Sequence, residues 1–235
     1  MTIEVANIPV TVNKKDIKNL HLSVMPPNGE VRVSAPLNVT DESIMIFVRS
    51  KIAWIRKQRE KFEMQLRQNA REFVSGETLY VWGKQYFLRV EYSNKGNDFV
   101  LTGNTAVLTV RKESTEAQRE NYVNERLREL LKAEIEKRLP LWEQKTGLKC
   151  VRWETKIMKT HWGSYSQKTQ RVTFNLQLAK KPLECLDYII VHELGHTKFR
   201  NHGKGFIEYM DKTLPFWRET KKLLNDFTLD YIEEN

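Results

Sequence analysis

Two histidines four residues apart, His192 and His196, flank Glu193 in a largely apolar stretch that runs from Leu183 to Phe199. Residues four apart share a face on a helix, so this pair constrains the chain more than any other pattern in it. The spacing predicts a helix over 183–199, opened by Pro182 at its first turn with Glu184 close behind. On such a helix both imidazoles point at one spot, where a zinc ion takes nitrogen ligands at about 2.0–2.1 Å. Glu193 lies beside the same face, near enough to take a proton from a water without ligating the ion. Arg200-Asn201-His202-Gly203 follows, and asparagine and glycine tolerate the left-handed backbone that reverses a chain. His202 is therefore expected to swing back as a third ligand. Three protein ligands and one open position mark a zinc that does chemistry, whereas a structural zinc is closed by four. A buried histidine pair without metal would not require a carboxylate beside it.

The rest of the chain has to supply a core for that helix. Its 235 residues are 40% hydrophobic, enough for one large or two small domains. The most apolar runs, such as Tyr188-Ile189-Ile190-Val191, fall far short of the roughly 18–20 residues of a membrane span, so no membrane partner is expected. The opening residues show neither a basic nor an apolar leader region, and a cytoplasmic location is expected. Cys150 and Cys185 do not form a CxxC pair, which argues against a disulfide framework and a cysteine-based zinc site. The net charge is +9, and eight basic residues between Arg49 and Arg71 face only Glu60 and Glu63. That cluster is either a solvated helix face or a surface for acidic partners, nucleic acid among them.

Patterning along the chain predicts an α+β protein. Leu20–Val24 and Val31–Ala35 alternate around Pro26-Pro27-Asn28-Gly29, the mark of a hairpin. Thr40 or Asp41 caps a long amphipathic helix expected over 41–70, with Ile44, Phe47, Val48, Ile52, Ile55, Phe62 and Leu66 on its apolar face. Strand patterns return from Val74 to Val110 and read as antiparallel pairs. A charged helix then runs from about Glu113 to Lys145 and stops at Gly147. The boundary is placed there, giving a β-rich first domain over 1–112 that contains the basic helix and a second over 113–235. The second domain holds a small antiparallel sheet, from strands over 151–157 and 172–178 with a Trp162-Gly163-Ser164 turn between them, and the HExxH helix. No internal repeat is visible.

The interval from His192 to His202 equals that of the metzincins, but Phe199 stands where that signature needs glycine, and no Met-turn follows. The chain instead resembles the YgjP-like metallopeptidases, relatives of the SprT-like and minimal zinc-peptidase domains. The resemblance is carried by Trp162-Gly163-Ser164, Val172-Thr173-Phe174-Asn175-Leu176, Asp187 to His196, and Asn201-His202-Gly203-Lys204-Gly205-Phe206. Weaker likeness covers Val33–Pro36, Phe47–Ile55 and Gly76–Leu79. It implies a zincin-like second domain, His192, His196 and His202 as zinc ligands, and Glu193 as general base and acid. Two positions depart from the family pattern, which usually has a basic residue at His161 and a cysteine at Tyr165.

The expected reaction is zinc-dependent hydrolysis of a peptide lying extended along an exposed sheet edge, with Trp162, Gly163, Ser164 and Asn175 as candidate groove residues. Tyr165, His161 and Tyr209 are candidates by residue type for stabilising the oxyanion. Two other classes stay open. The same site could hydrolyse a nucleotide phosphoanhydride, as a pyrophosphatase does, although the sequence has no glycine-rich phosphate loop and no carboxylate-rich second metal site. A nucleic-acid-binding protein that carries a zincin domain is the other, and it lacks a recognisable binding motif.

Overall fold

A computed structural model describes residues 1–25, 29–64 and 71–226. The chain divides into two compact units, one within 1–68 and the other within 69–230.

In the first unit, Ala6 (φ 50°) and Asn7 (φ 61°) make a two-residue left-handed turn between β1 (Thr2–Val5) and β2 (Ile8–Lys15). Turns of this hand carry the strand twist through a hairpin. A second hairpin joins β3 (His21–Met25) and β4 (Glu30–Pro36), and the sheet runs β1-β2-β4-β3 with β2 and β4 parallel at its centre. Thr40 caps α1 (Asp41–Ser50) by accepting from the Ser43 amide. The single helix expected over 41–70 is in fact broken: Lys51 leaves helical geometry (φ −108°, ψ 6°), and α2 (Ile52–Met64) starts afresh. Val10, Val12, Val31, Val33, Ile44, Val48 and Ile55 form this unit's core. The expected turn at Pro26-Pro27-Asn28 and the helix end over 65–70 lie outside the described residues.

The second unit begins with the same device. Trp82 (φ 51°) and Gly83 (φ 78°) turn between β5 (Thr78–Val81) and β6 (Lys84–Tyr92), and another hairpin joins β7 (Asp98–Thr102) and β8 (Thr105–Val110). The sheet order is β5-β6-β8-β7, again with a parallel central pair, so the expectation of antiparallel strands holds for the hairpins alone. Thr115 and Gln118 form a reciprocal cap on α3 (Glu116–Thr146).

Val123, Leu127, Leu131, Ile135 and Leu139 recur along one face of α3 and pack in one core with Leu79, Val81, Leu88, Leu108 and Val110 of the sheet. The two compact units divide at residue 68, and this core lies wholly within the second of them. The strands over 78–110 belong with the helices that follow them.

A third sheet runs β10 (Gly163–Ser166), β11 (Arg171–Asn175), β9 (Arg152–Lys156). It is mixed rather than antiparallel, because β9 enters parallel to β11. Gly163 and Ser164 are part of an edge strand, not a turn. A 3-10 turn (Leu176–Lys180) leads into α4 (Leu183–Gly195), and α5 (Lys204–Thr213) and α6 (Trp217–Asp226) complete the unit.

Asp187 of α4 accepts from Arg138 Nη1 and Trp142 Nε1 of α3, both at 2.7 Å, and so fixes the two helices to each other. The molecule is thus α+β, with a β-rich N-terminal part and a helical C-terminal part. Among the described residues no helix is long and apolar enough to cross a membrane.

Candidate metal centre

The helix that carries His192 and Glu193 ends at Gly195, four residues short of the expected limit, and His196 is its C-cap. Its last turn is tied off by the Phe199 amide, which donates to the Gly195 carbonyl at 2.9 Å. The chain then reverses without a left-handed residue. Gly203 is extended (φ −70°, ψ −174°), and the Asn201 side chain accepts from its amide at 3.3 Å. The reversal returns His202 to the helix.

His192 Nε2 lies 3.2 Å from His196 Nε2 and 3.0 Å from His202 Nε2. Nitrogens at the corners of a tetrahedron with 2.0–2.1 Å bonds stand about 3.3 Å apart, so the two measured edges fit one ion. Phe206 of α5 backs the cluster, its ring centroid 4.7–5.1 Å from all three imidazoles. Nδ1 of His196 is 3.0 Å from the Phe199 carbonyl, which can only accept. That fixes the proton on Nδ1 and leaves Nε2 as a lone-pair donor. Burial, the other two imidazoles and the charge of Lys221 push His192 down to about 3, so it is a neutral ligand at any ordinary pH. Among the described residues these three histidines are the cluster able to hold a metal ion.

Glu193 is 3% exposed, and burial pushes its carboxyl up to about 8. Its Oε2 is a buried oxygen with no hydrogen-bond partner among the described residues. Gly163 makes this placement possible: a Cβ there would stand 2.7 Å from Glu193 Oε1 and 2.7 Å from Ile189 Cγ2. The glycine lets the edge strand β10 lie directly against the helix beside the carboxylate.

The cleft around these groups is lined by His161, Gly163, Ser164, Tyr165, Gln167 and Arg200 together with Glu193 and the three histidines. Of the four candidate groove residues, Gly163 and Ser164 border this cleft and Asn175 does not. Asn175 is fully buried, its Nδ2 donates to the carbonyls of Met158 and His161, and its Oδ1 accepts from the amides of Met158 and Gln177. Asn175 therefore shapes the loop before β10 and has nothing left for a substrate. Trp162 also stands outside the lining, packed on the core with Lys181 Nζ 5.6 Å from its ring.

Of the three oxyanion candidates, His161 and Tyr165 border the cleft. Tyr209 instead donates to the Val191 carbonyl at 3.0 Å, and burial raises its hydroxyl above the usual tyrosine range. The sequence reading missed Arg200 and Gln167. Arg200 could have been found from its place two residues before His202; Gln167 carries no such signal.

Two solved structures of metallopeptidase zymogens are similar to parts of the chain. Abylysin of Pyrococcus abyssi is 18% identical, with a TM-score of 0.37, over 42% of this chain and 99% of its own. Jannalysin of Methanocaldococcus jannaschii is 26% identical, with a TM-score of 0.35, over 39% of this chain and 93% of its own. No curated protein matches the sequence. The family description that does match, "YgjP-like, metallopeptidase domain", spans residues 18–227 and takes in the cleft and all the elements that build it. On that match the chain belongs to the YgjP-like metallopeptidase family.

Proposed function

We propose that the protein is a zinc-dependent peptidase in which His192, His196 and His202 hold the ion and Glu193 moves the proton. The observation that carries this reading is the convergence of three imidazoles, with His196 and His202 Nε2 at 3.2 and 3.0 Å from His192 Nε2, beside a buried carboxyl group. Zinc, when bound there, supplies a Lewis acid that polarises a carbonyl and brings the pKa of a water toward about 7.

The chain's own groups do the remaining work. Glu193, buried beside the three imidazoles, is placed to accept a proton from a water and to return it to the leaving amine. The outer edge of β10, unpaired among the described residues, gives an extended peptide main-chain partners along Gly163, Ser164 and Tyr165, which require little of its sequence. Tyr165 and His161 supply the donors on the cleft wall that could face a developing oxyanion. A reducing, cytoplasmic setting suits Cys150 and Cys185, which remain thiols.

The test pairs metal analysis with two variants. Glu193→Gln is expected to keep stoichiometric zinc and lose peptide hydrolysis by about a thousandfold or more. His202→Ala is expected to lose zinc. Hydrolysis that survives in Glu193→Gln removes Glu193 from the mechanism, and unchanged zinc affinity in His202→Ala removes the third ligand.

A further inference from the structure

Arg200 lines the cleft together with Ser164, Tyr165, Gln167 and the three imidazoles, and it is exposed. It forms no hydrogen bond, ion pair or ring contact with any described residue. Other cations of the same unit have partners. Lys198 lies 5.4 Å from the Phe199 ring, Lys221 5.7 Å from Trp217, and Lys181 5.6 Å from Trp162, while Lys204 pairs with Glu208 at 3.9 Å. Among the cleft-lining residues Glu193 is the one carboxyl group, and it is buried against β10 rather than offered to Arg200. The cleft thus presents a guanidinium fork with all its donors free, beside the atoms that would act on a substrate. A guanidinium matches a carboxylate through two parallel hydrogen bonds, and such charge-assisted pairs are the strong ones.

We propose that Arg200 is a specificity-determining residue that captures a carboxylate of the bound peptide, from an aspartate or glutamate side chain or from a free C-terminus. This rests on the reading of the cleft as a peptide groove. It goes beyond that reading by giving the groove a preference that main-chain pairing along β10 cannot supply.

The test uses matched peptides, acidic or with Gln and Asn in place of Glu and Asp, each with a free or an amidated C-terminus. Binding is read by fluorescence anisotropy in a Glu193→Gln background, and cleavage is read in parallel with the unaltered protein. Acidic peptides are expected to bind about tenfold tighter than their neutral matches. The gap should vanish in Arg200→Gln, persist in part in Arg200→Lys and turn toward basic peptides in Arg200→Glu. A gap that amidation abolishes assigns the terminal carboxylate, and one indifferent to amidation assigns the side chain.

No gap in the unaltered cleft, a gap untouched by Arg200→Gln, or no peptide bound at all overturns the assignment. The two readings fail separately. Charge-selective binding without cleavage keeps Arg200 and removes the peptidase, whereas cleavage without charge preference does the reverse.

Discussion

Glu193 is held where ionisation is costly, and that cost has a sign. The ordinary carboxylate value is 4.5 and burial raises it to about 8. Between those values the unfolded chain has released a proton that the folded chain still holds, so folding takes one up and stability falls as pH rises. In protein stripped of metal by a chelator, Glu193→Gln should therefore gain stability over the parent as pH goes from 5 to 8, by on the order of 3 kcal/mol. Urea unfolding at the two pH values measures it, and a gap that stays constant would count against burial as the cause. The clustering of His192, His196 and His202 was legible in the letters because helical spacing is local: three histidines and one acid within eleven residues leave the chain few ways to arrange them. Asn175 was misread because a polar residue beside a motif looks the same in sequence whether it serves a ligand or a loop. Gly163 was placed in the groove, yet the reason for the glycine, the clash its Cβ would make with Glu193 Oε1, exists only once β10 meets α4.

The β5–β6 turn shows what an element contributes at a distance along the chain. The Trp82 amide donates to the Ala179 carbonyl at 2.9 Å and the Gly83 amide to the Lys180 carbonyl at 3.3 Å, so the turn grips the segment that leads into α4. A Cβ on Gly83 would sit 2.8 Å from Pro182 Cγ, at a backbone φ of 78°. Gly83→Ala should cost about 3 kcal/mol, part left-handed backbone and part collision, and should weaken zinc binding because Pro182 opens the helix that carries the ligands. Gly103→Ala is the control. That glycine has φ 58° but nothing within 4 Å of a Cβ, so only the backbone part, about 1 kcal/mol, should appear, with zinc affinity unchanged. Equal losses in chemical denaturation would show that the contact with Pro182 is irrelevant. The existence of these strands and of α3 could be read from alternation and helical spacing. Their parallel central pairing could not, since alternation tells which face a residue uses and not which strand lies beside it. The break at Lys51 was hidden for a related reason: no glycine or proline marks it.

For the whole molecule, the division at residue 68 predicts where the chain can be cut. A fragment beginning at residue 69 should fold, melt cooperatively and bind zinc. One beginning at residue 113 should do neither, because it strips Leu79, Val81, Leu88, Leu108 and Val110 from the core that Leu127 and Leu131 complete. Circular dichroism melts and metal content decide, and a cooperative melt from the shorter fragment would refute the shared core. The two units also share a plan. Both sheets have the order first, second, fourth, third with a parallel centre, both open on a two-residue left-handed turn, and both are followed by a helix capped by threonine. Thr40 follows the start of β4 at Glu30 by ten residues, and Thr115 follows the start of β8 at Thr105 by ten. The matching letters are few, which is why no repeat could be seen in the sequence. What natural selection has to defend in such a segment is correspondingly small: a turn that accepts positive φ, an alternation of buried positions, and a cap at a fixed distance. Beyond these and the buried faces of the helices, the fold asks little, so exchanging the exposed basic residues of α1 and α2, Arg49, Arg56 and Lys57 among them, should leave the scaffold that carries them undisturbed.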